Sequence, residues 1–376
     1  MTDLGDPDGA RAAPVDDRAG PLDLFDREDD EPYGGAEAVD EVSPRPLLGR
    51  PSTSDLVYQR VTSGAGAVVL VIMLFVGLFL TVRAADAIGE AGFSFLTTAA
   101  WQPEGGPFGI AAILTGTVLI GVTAILIAVP LALGTALYIS EYAPQRLRRL
   151  LINMVDLMAA VPSVVYGLWG FFLLQPQVLV VGPQGEGLPR WMATYLGWIP
   201  FFEVQAGGVA IDASDPSTSG TAFTSSMFIA AVVVALMVAP VACSIMRESF
   251  SQAPVGEREG AFALGSTKWG MIRSVVLPFG AGGIIGGTML GLGRALGETI
   301  AVYMILSIAF DVKIRILESG GSSVSSLIAL RFGEASDFGT SALMAAGLSL
   351  FLLTLVVNFG ASSVISRSRS GAVSDA

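Results

Sequence analysis

Arg294 and Glu298 stand four residues apart in GLGRALGETIAVYMILSIAF, Gly291 to Phe310, a stretch that is otherwise apolar or small almost throughout. An arginine presents a rigid planar fork of donors that fits a carboxylate or a tetrahedral oxyanion, and a glutamate one helical turn away can pair with it. Two roles are open. Either the two charges neutralise each other as a structural pair, or Arg294 offers its fork to an anion on a transport pathway while Glu298 moderates the positive charge, so that the anion is held weakly enough to leave. Ser163 and Tyr166, in DLMAAVPSVVYGLWGFF, carry hydroxyls that could donate into the same pathway or bond to neighbouring helices. Asp156, six residues before Pro162, reads as a packing or capping acid. Histidine is absent and Cys243 is the one cysteine, which removes the usual proton shuttle and excludes a disulfide within the chain; neither a metal nor a cofactor is expected.

The elements that must hold these residues are membrane helices. Hydrophobic residues make up 52% of the 376 and charged residues 14%, with a mean hydropathy of +0.65. Several apolar runs reach the ~20 residues needed to cross a ~30 Å hydrocarbon layer, which predicts an all-α integral membrane protein. Spans are expected near 64–82, 110–138, 150–174, 223–246, 279–308 and 341–364, six helices in all. Pro130, Pro162 and Pro240 fall inside these runs and are expected to kink rather than break them, since neighbouring helices can satisfy the freed carbonyls. If the fifth span starts near Phe279, Arg294 lies about 22 Å along it, with Glu298 one turn further on the same face. Facing lipid would cost several kcal/mol for the arginine alone, so that face should point into the bundle or a wet cavity. Gly286, Gly287, Gly291, Gly293 and Gly297 would let neighbouring backbones approach it closely.

The net charge of −12 is mostly in one place, because residues 1–60 hold 15 acidic and 6 basic residues. That segment is rich in Asp, Gly, Pro and Ala without a sustained apolar period and reads as a disordered acidic tail, neither a signal peptide nor a lipoprotein leader. Basic residues set the expected orientation. With the tail cytoplasmic, the inner connections carry Arg146, Arg148, Arg149, Arg247, Arg258, Lys268 and Arg273, and the C-terminal tail over 367–376 adds Arg367 and Arg369. The longer outer loops hold only Arg83, Arg190, Lys313, Arg315 and Arg331. Both termini are therefore expected in the cytoplasm of a cell whose plasma membrane the chain crosses. In the outer segment 175–222, Trp191, Tyr195 and Trp198 suit either a headgroup interface or packing on the bundle.

The connection from Glu248 to Val276 is too long for a tight turn. In GEREGAFALGSTKWGMIRSVVLP a first helical piece carries Ala261, Phe262 and Leu264, Gly265 stops it, and a second starts near Ser266. A helical hairpin on the cytoplasmic face is predicted, with exposed apolar residues that need either a partner or lipid headgroups.

Glu259, Gly260 and Ala261, then Gly265, then Val275, Leu277 and Pro278 resemble the EAA signature of ABC importer permeases, with Gly260 and Val275 as the two departures. SFLTTAAWQPEGGPFGIAAILTGT, AVPLALGTALYISEYAP, DLMAAVPSVVYGLWGFF and GLGRALGETIAV together resemble the PstC family of phosphate-transporter permeases, over roughly 55–365. The resemblance implies a six-helix type I ABC importer bundle: a first helix and outer loop over 61–110, a transmembrane domain over 111–366, and a coupling helix at about 256–272. It implies that Glu259, Gly260, Ala261, Leu264 and Gly265 seat on an ATPase, and it favours the pathway role for Arg294 and Glu298. The implied partners are a second, PstA-like permease subunit, a pair of PstB-like ATPase subunits, an extracytoplasmic PstS-like phosphate-binding protein and membrane lipid; no nucleic acid is expected.

The chain's own residues agree that ATP is hydrolysed elsewhere. A P-loop needs Gly-Lys followed by Ser or Thr, and the two lysines, Lys268 and Lys313, follow Thr267 and Val312. A permease for another oxyanion is an alternative. So is an ion-gradient-driven secondary transporter using Asp156 and Glu298, against which stand the hairpin and the lack of an obvious internal repeat.

Overall fold

The computed structural model describes residues 53–369 apart from 207–208 and 216, so most of the acidic tail, up to residue 52, and the end of the C-terminal tail, 370–376, lie outside the described residues. The chain divides into two compact units at Gly64; the described part of the first is the opening of one helix, Thr53–Arg83, and the packed regions and candidate sites described below belong to the second.

Among the described residues four helices are long and apolar enough to cross a membrane: Thr53–Arg83, Ala111–Tyr142, Met227–Ser251 and Asp337–Gly360. Two bent pairs make the count six if each is one span: Gln145–Ala160 with Ser163–Leu179, bent by 91°, and Lys268–Phe279 with Ala281–Gly297, bent by 64°. The order matches the six apolar runs. The ends differ, since the first helix already includes 53–60, assigned above to the tail, and the last continues to Arg369.

The three prolines separate. Pro130 and Pro240 lie inside continuous helices, the former between the buried Ala128 and Ala132. Pro162 breaks the third span rather than kinking it. A proline disfavours helical backbone in the residue before it, and here Val161 and Pro162 are both extended, with ψ of 130° and 141°. The fifth span is also interrupted, against the expectation of one helix over 279–308. It ends at Gly297, Glu298 is extended with ψ 127°, and a separate helix follows at Ile300–Ile305.

The bundle centres on the fourth span, the most buried of the four continuous helices, whereas the apolar window of the first has no buried residue. Its neighbour, the second span, meets it with a buried stripe recurring every fourth residue: Ala112, Gly116, Ile120, Ala124, Ala128, Ala132 and Ala136. Small residues at this spacing bring helix axes close, so dispersion contacts rather than a hydrophobic effect hold the pair in lipid. Phe250, Met246, Met271, Ile272 and Val276 form a second packed region where the hairpin leaves the bundle. At the opposite end Phe95, Trp101 and Phe108 pack with Val324, Leu327 and Leu343. In the short helix Leu188–Leu196 and the turn after it, Trp191, Tyr195 and Trp198 are all exposed, so they do not pack on the bundle.

Candidate functional site

The break in the fifth span decides what Arg294 and Glu298 do. Glu298 is buried, 8% exposed, and its Oε1 accepts the N–H of Ala301 at 3.2 Å, satisfying a free donor in the first turn of Ile300–Ile305. Its backbone carbonyl accepts the hydroxyl of Ser325 at 3.0 Å. Glu298 therefore folds an elbow, and the expectation that it shares a helical face with Arg294 is corrected, because the helix has already ended at Gly297.

Arg294 sits in the last turn of Ala281–Gly297, where the helix dipole favours a cation. It is exposed, along with Leu290 and Gly297 on the same side, and among the described residues it makes neither an ion pair nor a hydrogen bond. The structural pair is absent. Where charges in the connecting segments do pair, the contacts are short: Lys313 with Glu318 at 2.8 Å and Arg315 with Glu203 at 3.4 Å.

Tyr166 is the sequence-selected residue brought near Arg294, whose charge reaches the phenol. Its hydroxyl donates to the carbonyl of Met158 at 3.0 Å, bridging the two halves of the third span across the Pro162 break. Ser163, half-buried, starts the half that packs against Ile300–Ile305 and makes no side-chain hydrogen bond among the described residues. Asp156 is held away from the elbow, accepting the hydroxyl of Ser244 on the fourth span at 3.1 Å. An open-sided cavity of about 470 Å³ lies between Trp101–Gly106 and Arg331–Leu343 and includes none of these residues; Arg294 sits instead on a surface it shares with exposed Leu290 and Gly297. Among the described residues no three His, Cys, Asp or Glu side chains converge to hold a metal ion.

The hairpin forms as its sequence predicts. Helix Val255–Ala263 stops at Leu264, and Gly265 takes a left-handed backbone at φ +82°, which costs glycine least. The hydroxyl of Thr267 then accepts the N–H of Gly270 at 3.1 Å and caps Lys268–Met271. Leu264 is 91% exposed at the tip, flanked by exposed Val255, Phe262 and Trp269. Glu259 and Gly260 are also exposed, and Ala261 turns inward against the packed region under the hairpin. Sequence reasoning missed Glu141 and Tyr142. Glu141 pairs with Arg258 at 3.1 Å, and the Lys268 ammonium lies 4.6 Å from the centre of the Tyr142 ring. The available signal was an acid at the end of an apolar run, in the region richest in arginine.

Residues 124–370 match the family described as the binding-protein-dependent transport system inner membrane component. The phosphate transport system permease protein PstC 2 of Mycobacterium tuberculosis is 38% identical over 312 residues, covering 82% of this chain and 90% of that protein. The phosphate transport system permease protein PstC of Mycobacterium leprae is 40% identical over 285 residues, covering 75% and 83%. Among solved structures, a bacterial alginate ABC transporter in complex with an alginate pentasaccharide-bound periplasmic protein aligns with a TM-score of 0.52 at 15% identity, over 83% of this chain and 96% of that one, which supports the shared fold. This chain therefore belongs to the binding-protein-dependent transport system inner membrane components, the membrane subunits of ABC transporters, and its relatives are PstC permeases.

Proposed function

We propose that this chain is one permease subunit of an ATP-driven importer of inorganic phosphate, and that Arg294 is the group on its pathway face that meets the anion. The observation that carries the reading is a guanidinium that makes no ion pair or hydrogen bond among the described residues. Such a cation in a membrane span needs an anion, water or a second subunit to satisfy it, and a planar fork suits a tetrahedral oxyanion. The Tyr166 hydroxyl is within the electrostatic range of Arg294, and Ser163 is the weaker candidate at the same broken span. Glu298 contributes by shaping the elbow and by lowering the local positive potential, so that binding stays weak enough for release.

The hairpin is the coupling helix, with Leu264 and its apolar neighbours seated on a separate ATPase subunit and Glu259, Gly260, Ala261 and Gly265 giving it shape. The rest of the assembly is a second, PstA-like permease closing the open face around Arg294, a pair of PstB-like ATPase subunits, and a PstS-like binding protein on the outer side. Both termini lie in the cytoplasm of a bacterial cell, and the chain itself hydrolyses nothing.

The test is uptake of labelled phosphate by inverted-control and right-side-out vesicles carrying the co-expressed subunits, with ATP supplied inside or withheld. Uptake that needs ATP and is competed by arsenate but not by sulfate supports the reading. Uptake driven by an ion gradient without ATP overturns it, and equal competition by sulfate overturns the phosphate assignment.

A further inference from the structure

We propose that Glu141 and Tyr142, at the end of the second span, form a latch that ties both legs of the hairpin to that one helix, making it the element that carries hairpin movement to the elbow beside Arg294. The inference rests on the coupling role proposed above.

The first leg is held by charge. The Glu141 side chain is 4% exposed; Nη1 of Arg258 lies 3.1 Å from its Oε1 and 3.3 Å from its Oε2, and the Ser140 hydroxyl donates to Oε1 at 2.7 Å. The other arm of the same guanidinium donates to the carbonyl of Phe250 at the end of the fourth span. One arginine thus joins the hairpin, the second span and the fourth. The second leg is held by Lys268 over the Tyr142 ring. Both attachment points fall on a single π-helical turn, Tyr138–Tyr142.

The other end of the second span is gripped as well. Thr117, about 36 Å from Glu141 at 1.5 Å per residue, accepts the N–H of Val324 at 3.0 Å. A Cβ at Gly116 would lie 2.1 Å from the Ser322 carbonyl, so only glycine admits this approach. Ser325, the next residue after Val324, donates to the Glu298 carbonyl at the elbow. The stripe of small residues between these two ends packs closely on the fourth span, and the helix runs without a break, Pro130 included, from one grip to the other. The hairpin and the elbow therefore hold opposite ends of one helix.

The experiment measures labelled phosphate imported per ATP hydrolysed by the complete reconstituted complex. Glu141→Gln should leave the ATPase subunits bound and hydrolysing while the ratio falls by on the order of tenfold. Glu141→Asp, which keeps the charge, should recover most of the ratio. An unchanged ratio in Glu141→Gln overturns the latch. Should Glu141→Gln fail to assemble, Glu141→Cys with Arg258→Cys joined by a short bifunctional thiol reagent decides: cross-linking that restores the ratio supports the latch, and a cross-linked but uncoupled complex overturns it. Leu264→Asp separates the two layers. If it leaves ATPase association intact, the coupling reading itself fails; if it releases the ATPase while Glu141→Gln keeps a full ratio, the latch alone fails.

Discussion

Oε1 of Glu298 accepts the N–H of Ala301 at 3.2 Å, so the carboxylate is committed to the helix that follows it rather than to the arginine that precedes it. Glu298→Gln keeps an acceptor at that position and should assemble normally, with a change in apparent affinity for phosphate as the negative charge is lost. Glu298→Ala removes the acceptor and should cost about 1 kcal/mol, the usual price of a lost cap. Thermal unfolding of the purified complex separates the two, and equal destabilisation by both variants would show that the charge, not the cap, holds the elbow.

Arg294 carries the opposite expectation. Breaking a buried ion pair costs about 3–5 kcal/mol, but Arg294 makes no ion pair among the described residues, so Arg294→Gln should leave stability nearly unchanged while abolishing uptake. Arg294→Lys keeps the charge and loses the fork, and an apparent KM for phosphate raised on the order of tenfold is expected. A loss of several kcal/mol in thermal stability on Arg294→Gln would restore the structural-pair reading.

Tyr166→Phe removes the hydroxyl that bridges Met158 across the Pro162 break. One neutral hydrogen bond contributes about 1 kcal/mol, so the melting point should fall slightly and the two halves of the third span should exchange backbone amides faster around Val161. Uptake per assembled complex should drop as well, because the same phenol lies within the electrostatic range of Arg294. Unaltered exchange at Val161 and Ser163 would remove the bridge from the account.

The six apolar runs and the hairpin were legible because composition and a helix-stopping glycine are local signals: Gly265 announces the turn it makes, and the Thr267 cap that starts the second piece came only with the structure. The elbow was not. Nothing in the spacing of Arg294 and Glu298 distinguishes a continuous helix from one that ends between them, since the carboxylate's partner is the Ala301 backbone and the Ser325 hydroxyl comes from a segment 27 residues away. Pro162 differs from Pro130 for a similar reason. Both disfavour helix locally, and the surroundings decide, with buried alanines on either side of Pro130 and the Tyr166 bridge closing the gap at Pro162. Glu141 was hidden because its partner Arg258 is 117 residues away.

In the segment before the fourth span, Asp212 accepts the hydroxyl and, at 2.8 Å, the N–H of Ser214, and both bonds hold its carboxyl below the ordinary aspartate range. A depressed folded-state pKa contributes order that is present above the unfolded value and lost as pH falls through the folded one. The turn should therefore stay ordered from neutral pH past about 3.9 and loosen only below it. Protection of the Ser214 amide, compared with Asp212→Asn at each pH, reads this directly; the wild type should converge on the variant only in the more acidic samples, and convergence already at pH 5 would contradict it.

The orientation of the whole chain can be tested with one thiol at a time, because the native Cys243 is buried inside the fourth span, out of reach of a water-borne reagent. Ser217→Cys, exposed in the long segment before the fourth span, and Ala263→Cys, exposed on the hairpin, lie at opposite ends of that span. The excess of Arg and Lys on the hairpin side is the ground for expecting Ala263 inside. An impermeant maleimide added to intact cells should therefore label Ser217→Cys and spare Ala263→Cys until the membrane is opened. Labelling of Ala263→Cys in intact cells would put the hairpin outside, where no ATPase could reach Leu264, and would remove the coupling role together with the orientation.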